Sequence, residues 1–329
     1  MLFALICWAL WGMALSLEPE TMQLLQHRLA LEGPQEQRLK AAEPINWLHF
    51  PKAGTSFLNA IIHLPGVCPL AVNLTIGEQS LGPCFLQIWT DVMCSQLCDQ
   101  EKFRCKSDLH MPHQPIDDYW AEKGTFMGFF RDPDQRILSG YHDDMDNFAS
   151  VNFRDVLHMY EVEPLEQISN CTMEEGAPKI PILEFAESWK GGMTYQLVVE
   201  HPTTQTLDPD RKAMTHTDAE KAARRVRDGF AFVGIAEEWS LSICLFHKMF
   251  GGSCQQSDFA DTRPSATGKS AHVAYNTSEL MGWHDDIDDV VYAAALDMFR
   301  TNLMLFNVSH STCQECYSRG GVDLMLTAF

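Results

Sequence analysis

Three short apolar runs mark the chain from residue 45 onward: INWLHF (45–50), TFMGFF (125–130) and FAFVGI (230–235). Each has the length of a buried strand and is too short to be a complete buried helix. Apolar residues at helical spacing follow every run, in SFLNAIIHL (56–64), ILSGYHDDM (137–145) and EEWSLSICLFHKMF (237–250). Strands that alternate with helices predict an α/β fold, in which a central, mostly parallel sheet is flanked by helices on both faces.

Two more helices are predicted in the second half of the chain. DAEKAARRVRD (218–228) has Thr217 as its expected N-cap, Glu220 as the residue that completes a capping box, and Gly229 as its end. The longest helix is expected near residues 287–306. The acidic residues before and at its start would be stabilised there by the helix dipole.

The N-terminal segment is uncharged and apolar. Residues 2–17 carry no charge, and the first charged residue is Glu18. These sixteen residues fall short of the roughly 20 that span a bilayer, while Ala14 and Ser16 are small residues suited to a cleavage site. We therefore expect residues 1–16 to be a signal peptide, or else a short signal anchor, and this segment to be the only membrane attachment.

The rest of the chain divides by composition. Residues 17–44 are polar, rich in Gln and Glu, and are expected to form a stem or linker, or else a loosely docked helix. Residues 45–329 are predicted to form one disulfide-containing domain. Within it, residues 66–109 have weak periodicity and five cysteines, which indicates an insertion held by disulfides.

The eleven cysteines and the glycosylation signals both indicate the secretory pathway. Cys7 lies in the leader, which leaves ten cysteines that can all pair. A zinc site would need a second pair beside Cys313-x-x-Cys316, and a thioredoxin-like site would need a βαβ context, so structural disulfides are favoured. Sequons predict N-glycans at Asn73, Asn170, Asn276 and Asn307.

The charge balance limits the classes of partner. The 24 Lys plus Arg and 44 Asp plus Glu give a formal charge of −20, which argues against a nucleic-acid-binding protein. A hydrophobic content of 46% excludes wholesale disorder. The acidic runs at 143–146 and 285–289 lack the glycine and terminal glutamate of an EF-hand, which argues against a calcium site of that kind.

The segment HFPKAGTSF (49–57) joins the first strand to its helix, which is where α/β sheets bind anions. Gly54 would let the backbone approach a phosphate, Thr55 and Ser56 offer hydroxyls, and Lys52 offers a cation. The arrangement is P-loop-like, although the ATP-binding pattern GxxxxGK[ST] is absent. For this loop alone, an ordinary strand–helix turn is an equal alternative.

A second polar segment, RDPDQRILSGY (131–141), follows the second strand. Arg131 and Ser139 span the strand end and the first turns of a helix, so a guanidinium and a hydroxyl could share one phosphate. Together the two segments resemble the sulfotransferase superfamily, whose members use 3′-phosphoadenosine-5′-phosphosulfate (PAPS). PKAGTSF resembles the family's 5′-phosphosulfate loop and FFRDPDQRILSGY its 3′-phosphate motif, while FAFVGIAEEWSLSICLF resembles a later strand–helix segment. The leader and sequons favour the Golgi, carbohydrate-type branch.

The resemblance implies roles for the loop residues. Lys52 would contact the sulfonate and its bridging oxygen, and would stabilise the charge that develops on the leaving oxygen. Gly54, Thr55 and Ser56 would bind the 5′-phosphate. Phe57 stands where many family members have an adenine-stacking Trp, which leaves the stacking role open.

The second motif and a later segment would complete nucleotide binding. Arg131 and Ser139 would bind the 3′-phosphate. TRPSATGKS, with Arg263 and Lys269, is the late candidate for the family's basic loop, but its match is poor and charged surface is the equal alternative. The cluster Arg224, Arg225 and Arg227 is expected to be a solvated helix face.

A base must accept the proton of the acceptor hydroxyl. His110-Met111-Pro112 resembles the His-x-Pro context of the family's catalytic histidine, and we favour His110 over His113. A carboxylate is the alternative.

The resemblance therefore implies a lumenal enzyme that transfers a sulfonate from PAPS to a hydroxyl of a glycan, without a metal. One alternative is a non-catalytic secreted or cell-surface glycan-binding protein on the same scaffold. Another is a P-loop phosphotransferase, which should carry the GK[ST] sequence that is missing here.

Overall fold

The computed structural model describes residues 33–77, 89, 93–105, 113–143, 146–153, 177–200, 204, 206–262 and 274–322. The predicted leader, most of the predicted stem, His110 and the sequon at Asn170 lie outside these residues. The three predicted strands and the helices that follow them lie within them.

Three parallel strands form the sheet in the order β1–β2–β3: Asn46–Trp47 (β1), Phe126–Phe130 (β2) and Phe230–Ile235 (β3). β2 and β3 are buried along their whole length, as expected for parallel strands covered by other elements. Beyond the short β1, Leu48 still donates its N–H to the Met127 carbonyl at 3.0 Å. The predicted parallel α/β architecture is confirmed.

The described residues form these helices: α1 (Gln35–Ala41), α2 (Phe57–Ile62), α3 (Cys94–Leu97), α4 (Tyr119–Glu122), α5 (Pro133–Tyr141), α6 (Ile182–Trp189), α7 (Gly192–Val198), α8 (His216–Gly229), α9 (Trp239–Phe250), α10 (Asp286–Leu305) and α11 (Gln314–Gly320). α2, α5 and α9 follow β1, β2 and β3 as predicted. Within the described ranges, no helix has the length and hydropathy needed to cross a membrane.

An aromatic cluster joins the sheet to two helices. The Phe57 ring at the start of α2 lies 4.7 Å from Phe129 of β2, 5.3 Å from Phe232 of β3 and 4.9 Å from Phe246 of α9, between centroids. Burying one such ring contributes about 1.5–3 kcal/mol. Because Phe57 is the first residue of α2, the cluster fixes the position of the loop that precedes it.

The start of α8 corrects one prediction. The N-cap is Thr215 and not Thr217, and the capping box is completed by Asp218 and not by Glu220. Thr215 Oγ1 accepts the N–H of Asp218 at 3.3 Å, and the Asp218 carboxylate accepts the N–H of Thr215 at 3.0 Å. Both threonines precede an acid by three residues, and the earlier pair lengthens the helix. Gly229 ends it as predicted.

Helix α1 belongs to the predicted stem and packs on the end of α9. Leu39 is buried, and Arg38 Nε donates to the Met249 carbonyl at 2.6 Å. The Arg38 guanidinium also lies 4.9 Å from the centroid of the Phe306 ring. These contacts make α1 a docked helix.

Disulfides hold two parts of the fold, and the described pairs are Cys68–Cys98, Cys94–Cys105, Cys244–Cys313 and Cys254–Cys316. The first two lie in the predicted insertion, as expected. The last two give each cysteine of the C-x-x-C sequence a separate partner, in α9 or in the loop after it. The prediction of structural disulfides is confirmed for these eight cysteines.

Removing the Cys244–Cys313 bond is expected to lower the free energy of unfolding by about 2–5 kcal/mol, because the bond closes a long loop in the unfolded chain. Urea unfolding of the paired Cys244→Ser and Cys313→Ser variant measures this. The pair Cys94→Ser and Cys105→Ser is the comparison, since its bond spans 11 residues and not 69. An equal or larger loss for the short loop would contradict the loop-entropy account.

Candidate functional site

The loop at residues 51–56 leaves β1 at its carboxyl end and leads into α2. Its backbone is left-handed at Lys52, with φ of 62°, and at Gly54, with φ of 99°. A Cβ atom on Gly54 would lie 2.8 Å from the Trp239 ring and 3.2 Å from Cβ of Phe129. Glycine is required at residue 54 because of both this φ and this close approach.

Lys52 is held by an ion pair. Its Nζ lies 2.5 Å from Oδ2 of Asp143, and the two side chains are only 16% and 6% exposed. Asp143 lies just after α5, and its Oδ1 accepts the N–H of Asp146 at 3.2 Å. The ion pair between Lys52 and Asp143 therefore connects the loop to the end of α5.

Arg131 connects the second motif to the same loop. Its Nη1 donates to the Lys52 carbonyl at 3.1 Å, and its Nε lies 3.8 Å from Oε1 of Glu237. Burial lowers the pKa of the Arg131 guanidinium, although Glu237 acts in the opposite direction. Burial likewise raises the pKa of the Glu237 carboxyl. The two cations chosen from the sequence therefore lie together, each opposite a carboxylate.

Tyr275 stands beside Arg131. The Arg131 guanidinium lies 5.8 Å from the Tyr275 ring centroid. Gln135 of α5 fixes the position of Tyr275, because its amide donates to the Tyr275 carbonyl at 3.0 Å and accepts the Tyr275 N–H at 2.6 Å. The His142 ring stacks on Tyr275 with centroids 5.6 Å apart. An aromatic ring is thus positioned next to the predicted 3′-phosphate residue.

The loop hydroxyls have protein partners. Thr55 Oγ1 lies 3.1 Å from Nε2 of His49, and Ser56 Oγ lies 2.9 Å from Oγ1 of Thr262. Ser56 Oγ also accepts the N–H of Thr262 at 3.1 Å. Residues 263–273, which include the late candidates Arg263 and Lys269, lie outside the described part of the chain.

Histidine rings pack behind the loop. His49 stacks on Trp47 and lies beside His113, with both centroid distances at 4.8 Å. His49 and His113 are 5% and 7% exposed. His113 is therefore close to the loop but nearly buried, and the predicted base His110 lies outside the described residues.

Ser139 lies on the buried side of α5, where it is 6% exposed. The neighbouring Arg136 is fully buried, and its Nη2 donates to Asp288 Oδ2 at 3.0 Å and lies 3.7 Å from Asp285 Oδ2. Asp285 caps α10 by accepting the N–H of Asp288 at 2.9 Å, as its position at the helix start predicts. Burial, with the charge of Asp288, raises the pKa of the Asp285 carboxyl.

Two side chains lie in environments that the sequence did not predict. Phe57 is fully buried among phenylalanine rings, so no face of its ring is open to an adenine. Arg225 is not on a solvated face: it is 5% exposed, donates to the Leu197 carbonyl at 2.7 Å and lies over the Tyr119 ring. Its neighbours Arg224 and Arg227 are exposed, as predicted.

Sequence reasoning missed Asp143, Glu237 and His49 as members of the site. Glu237 follows β3 by two residues, and acids at strand ends of a parallel sheet face the ligand edge, so its position was a usable signal. In the sequence, Asp143 is notable only as part of an acidic run that can be compared with an EF-hand. Among the described residues, no cluster of three or more His, Cys, Asp or Glu side chains could hold a metal ion.

Three of the predicted glycosylation sites can be placed. Asn73, Asn276 and Asn307 are all exposed. Asn276 is the neighbour of Tyr275, and its side chain accepts the N–H of Ser278 at 3.1 Å through the oxygen, so the amide nitrogen that carries a glycan is not used in that bond.

The chain was compared with protein-family models, with curated proteins and with solved structures, and none of them matches it.

Proposed function

We propose that this chain is a lumenal sulfotransferase with a P-loop-like domain, and that it transfers the sulfonate of PAPS to a hydroxyl of a glycan. The observation that carries the proposal is the hydrogen bond of 3.1 Å from Arg131 to the Lys52 carbonyl. It brings the two motif segments to one edge of the sheet, where an anionic nucleotide could touch both cations.

The polar groups of the site suit a doubly phosphorylated nucleotide. Lys52 would contact the sulfonate and the bridging oxygen, and Arg131 with Ser139 would bind the 3′-phosphate. The Thr55 and Ser56 hydroxyls would donate to the 5′-phosphate, and Ser56 Oγ could continue to accept the N–H of Thr262. Phe57 would support the loop from behind and would not stack on the adenine.

Catalysis would rest on charge stabilisation at the leaving oxygen. When the acceptor oxygen bonds to sulfur, the bond from sulfur to the bridging oxygen breaks and leaves negative charge on the 5′-phosphate. The Lys52 ammonium would stabilise that charge in a largely water-excluded position, since its side chain is 16% exposed.

The compartment and acceptor follow from the surface and the cysteines. The four disulfides and the three exposed sequon asparagines among the described residues support a secretory-pathway protein, in line with a leader at residues 1–16. We place its activity in the Golgi lumen. A formal charge of −20 would repel a highly sulfated chain, so a neutral or weakly charged glycan is the favoured acceptor.

Lys52→Ala is expected to lower the turnover number for sulfonate transfer by about 10²–10³-fold, because it removes one preorganised group from the leaving oxygen. The measurement is transfer of radiolabelled sulfonate from PAPS to a panel of neutral glycans, sulfated glycans and phenols, with the full-length chain. Binding of 3′-phosphoadenosine-5′-phosphate should weaken less than turnover falls, since this product lacks the sulfonate but keeps the 5′-phosphate oxygen that Lys52 would contact. Lys221→Ala, an exposed lysine of α8, is the matched control.

The same panel separates the alternatives. Glycan binding without use of any donor would support a non-catalytic glycan-binding protein. Transfer of labelled phosphate from ATP would support a phosphotransferase. Either result would replace the sulfotransferase proposal.

A further inference from the structure

We propose that Asp143 is the base that accepts the proton of the acceptor hydroxyl, an inference that rests on the proposed sulfotransferase function. The carboxylate of Asp143 lies at the place where sulfonate transfer would occur, because it is in contact with Lys52. Asp143 lies after α5 and is separated from Lys52 by 91 residues, so only the fold brings them together.

The distance between the two groups limits where Asp143 can be during the reaction. Lys52 Nζ is 2.5 Å from Asp143 Oδ2. A sulfonate oxygen bound to the same ammonium would lie about 2.8 Å from Nζ, so the carboxylate stays within about 5 Å of that oxygen. The acceptor hydroxyl would approach the same sulfur on the side opposite the bridging oxygen, and the proposal requires Oδ2 of Asp143 to face that side, within hydrogen-bond distance of the hydroxyl.

The backbone around Asp143 holds the carboxylate in this position. Oδ1 accepts the N–H of Asp146 at 3.2 Å, and the N–H of Asp143 itself donates to the Gly140 carbonyl at 3.3 Å. The residue is 8% exposed. Oδ2, the oxygen paired with Lys52, would face the acceptor when the ammonium turns towards the sulfonate.

Ligand binding and proton transfer are coupled in this arrangement. Before the donor binds, the Asp143 carboxylate neutralises Lys52. The ammonium, which has three N–H donors, then turns one of them to the sulfonate, and the weakened ion pair lets Oδ2 act as a proton acceptor. As the acceptor oxygen bonds to sulfur, its proton passes to Asp143, and the electron pair of the broken sulfur–oxygen bond remains on the 5′-phosphate. The proton later leaves to solvent.

His49 fits this role less well. His49 contacts the hydroxyl of Thr55 and not the ammonium of Lys52, and its ring packs between Trp47 and His113. That packing favours a role in positioning Thr55 in the loop.

The test is the pH dependence of kcat/KM for sulfonate transfer by wild type and Asp143→Asn in the full-length chain, from about pH 3 to pH 9, because a carboxyl beside an ammonium loses its proton at acidic pH. The wild-type rate should fall on the acidic side as the base becomes protonated. Asp143→Asn should lower the rate by about 10²–10⁴-fold and abolish that acidic limb. Asp143→Glu, which keeps the carboxylate, should retain part of the rate and the limb. Asp297→Asn, an exposed aspartate of α10, is the matched control.

Binding of 3′-phosphoadenosine-5′-phosphate to each variant distinguishes a base from a structural residue. Binding retained by Asp143→Asn, together with the lost limb, supports the proposal. An unchanged rate, a retained acidic limb, or loss of nucleotide binding in both Asp143 variants would overturn it. The proposal would also be overturned if His110→Asn or His113→Asn, and not Asp143→Asn, lost the acidic limb of the pH profile. A wild-type chain that neither binds the nucleotide nor transfers sulfonate would instead refute the function on which the inference rests.

Discussion

Arg131→Ala is expected to weaken binding of 3′-phosphoadenosine-5′-phosphate by about 10- to 100-fold. A hydrogen bond to a charged group contributes about 1.5–3 kcal/mol, and each 1.4 kcal/mol is a factor of ten in affinity. Arg131 also donates to the Lys52 carbonyl, so its loss removes the contact that joins the two motifs. The substitution further leaves Glu237 without its opposing cation, which adds a negative charge to the site that we propose binds phosphates.

Isothermal titration of the nucleotide into wild-type and variant chains measures this effect. Arg224→Ala removes an exposed arginine of α8 and should leave the affinity unchanged. Arg131→Lys keeps a cation without the paired donors of a guanidinium, and it should fall between wild type and Arg131→Ala. Equal affinities for wild type and both Arg131 variants would show that the 3′-phosphate binds elsewhere.

Asp288→Ala is expected to lower the free energy of unfolding by about 3–5 kcal/mol, because it removes the nearest carboxylate from a buried arginine. Asp288 accepts Arg136 Nη2 at 3.0 Å, the N–H groups of Met193 and Thr194 at 2.9 and 2.8 Å, and the Thr194 hydroxyl at 2.8 Å. It thereby joins the starts of α7 and α10 to the underside of α5, the helix that carries Ser139.

Urea unfolding followed by circular dichroism measures this loss. Asp289→Ala is the control: the neighbouring aspartate is exposed, and its removal should change stability by no more than about 0.5 kcal/mol. A loss below about 1 kcal/mol for Asp288→Ala would mean that Arg136 finds another partner, such as Asp285, which lies 3.7 Å away.

The elements of the fold could be predicted where local sequence was sufficient. FAFVGI is the strand Phe230–Ile235, and the last long helix differs from its predicted range by one residue at each end. Local sequence did not determine where α8 begins. Thr215, just before the helix, and Thr217, within it, each precede an acid by three residues, so both fit the capping pattern. Thr215 was therefore missed as the cap.

Side-chain environments depended on contacts between distant segments. Phe57 could be identified as part of the loop motif, but its burial depends on Phe129 and Phe232, which come from two other strands. Arg225 was expected on a solvated face because of its charged neighbours. The Leu197 carbonyl and the Tyr119 ring, to which it binds, are distant in sequence.

The sequence by itself determined the strands, the helices that follow them and the two cationic motifs, because each depends on residues close together in the chain. Periodicity and turn residues act over a few positions, and a strand followed by a polar turn and a helix is sufficient to predict an anion-binding edge. Only the tertiary structure decided that Lys52 faces Asp143, that Arg131 faces Glu237 and donates to the Lys52 carbonyl, and that Asp288 neutralises Arg136. Each of these contacts joins residues that are 79 to 152 positions apart, and packing of the sheet and helices alone brings them within hydrogen-bond or ion-pair distance.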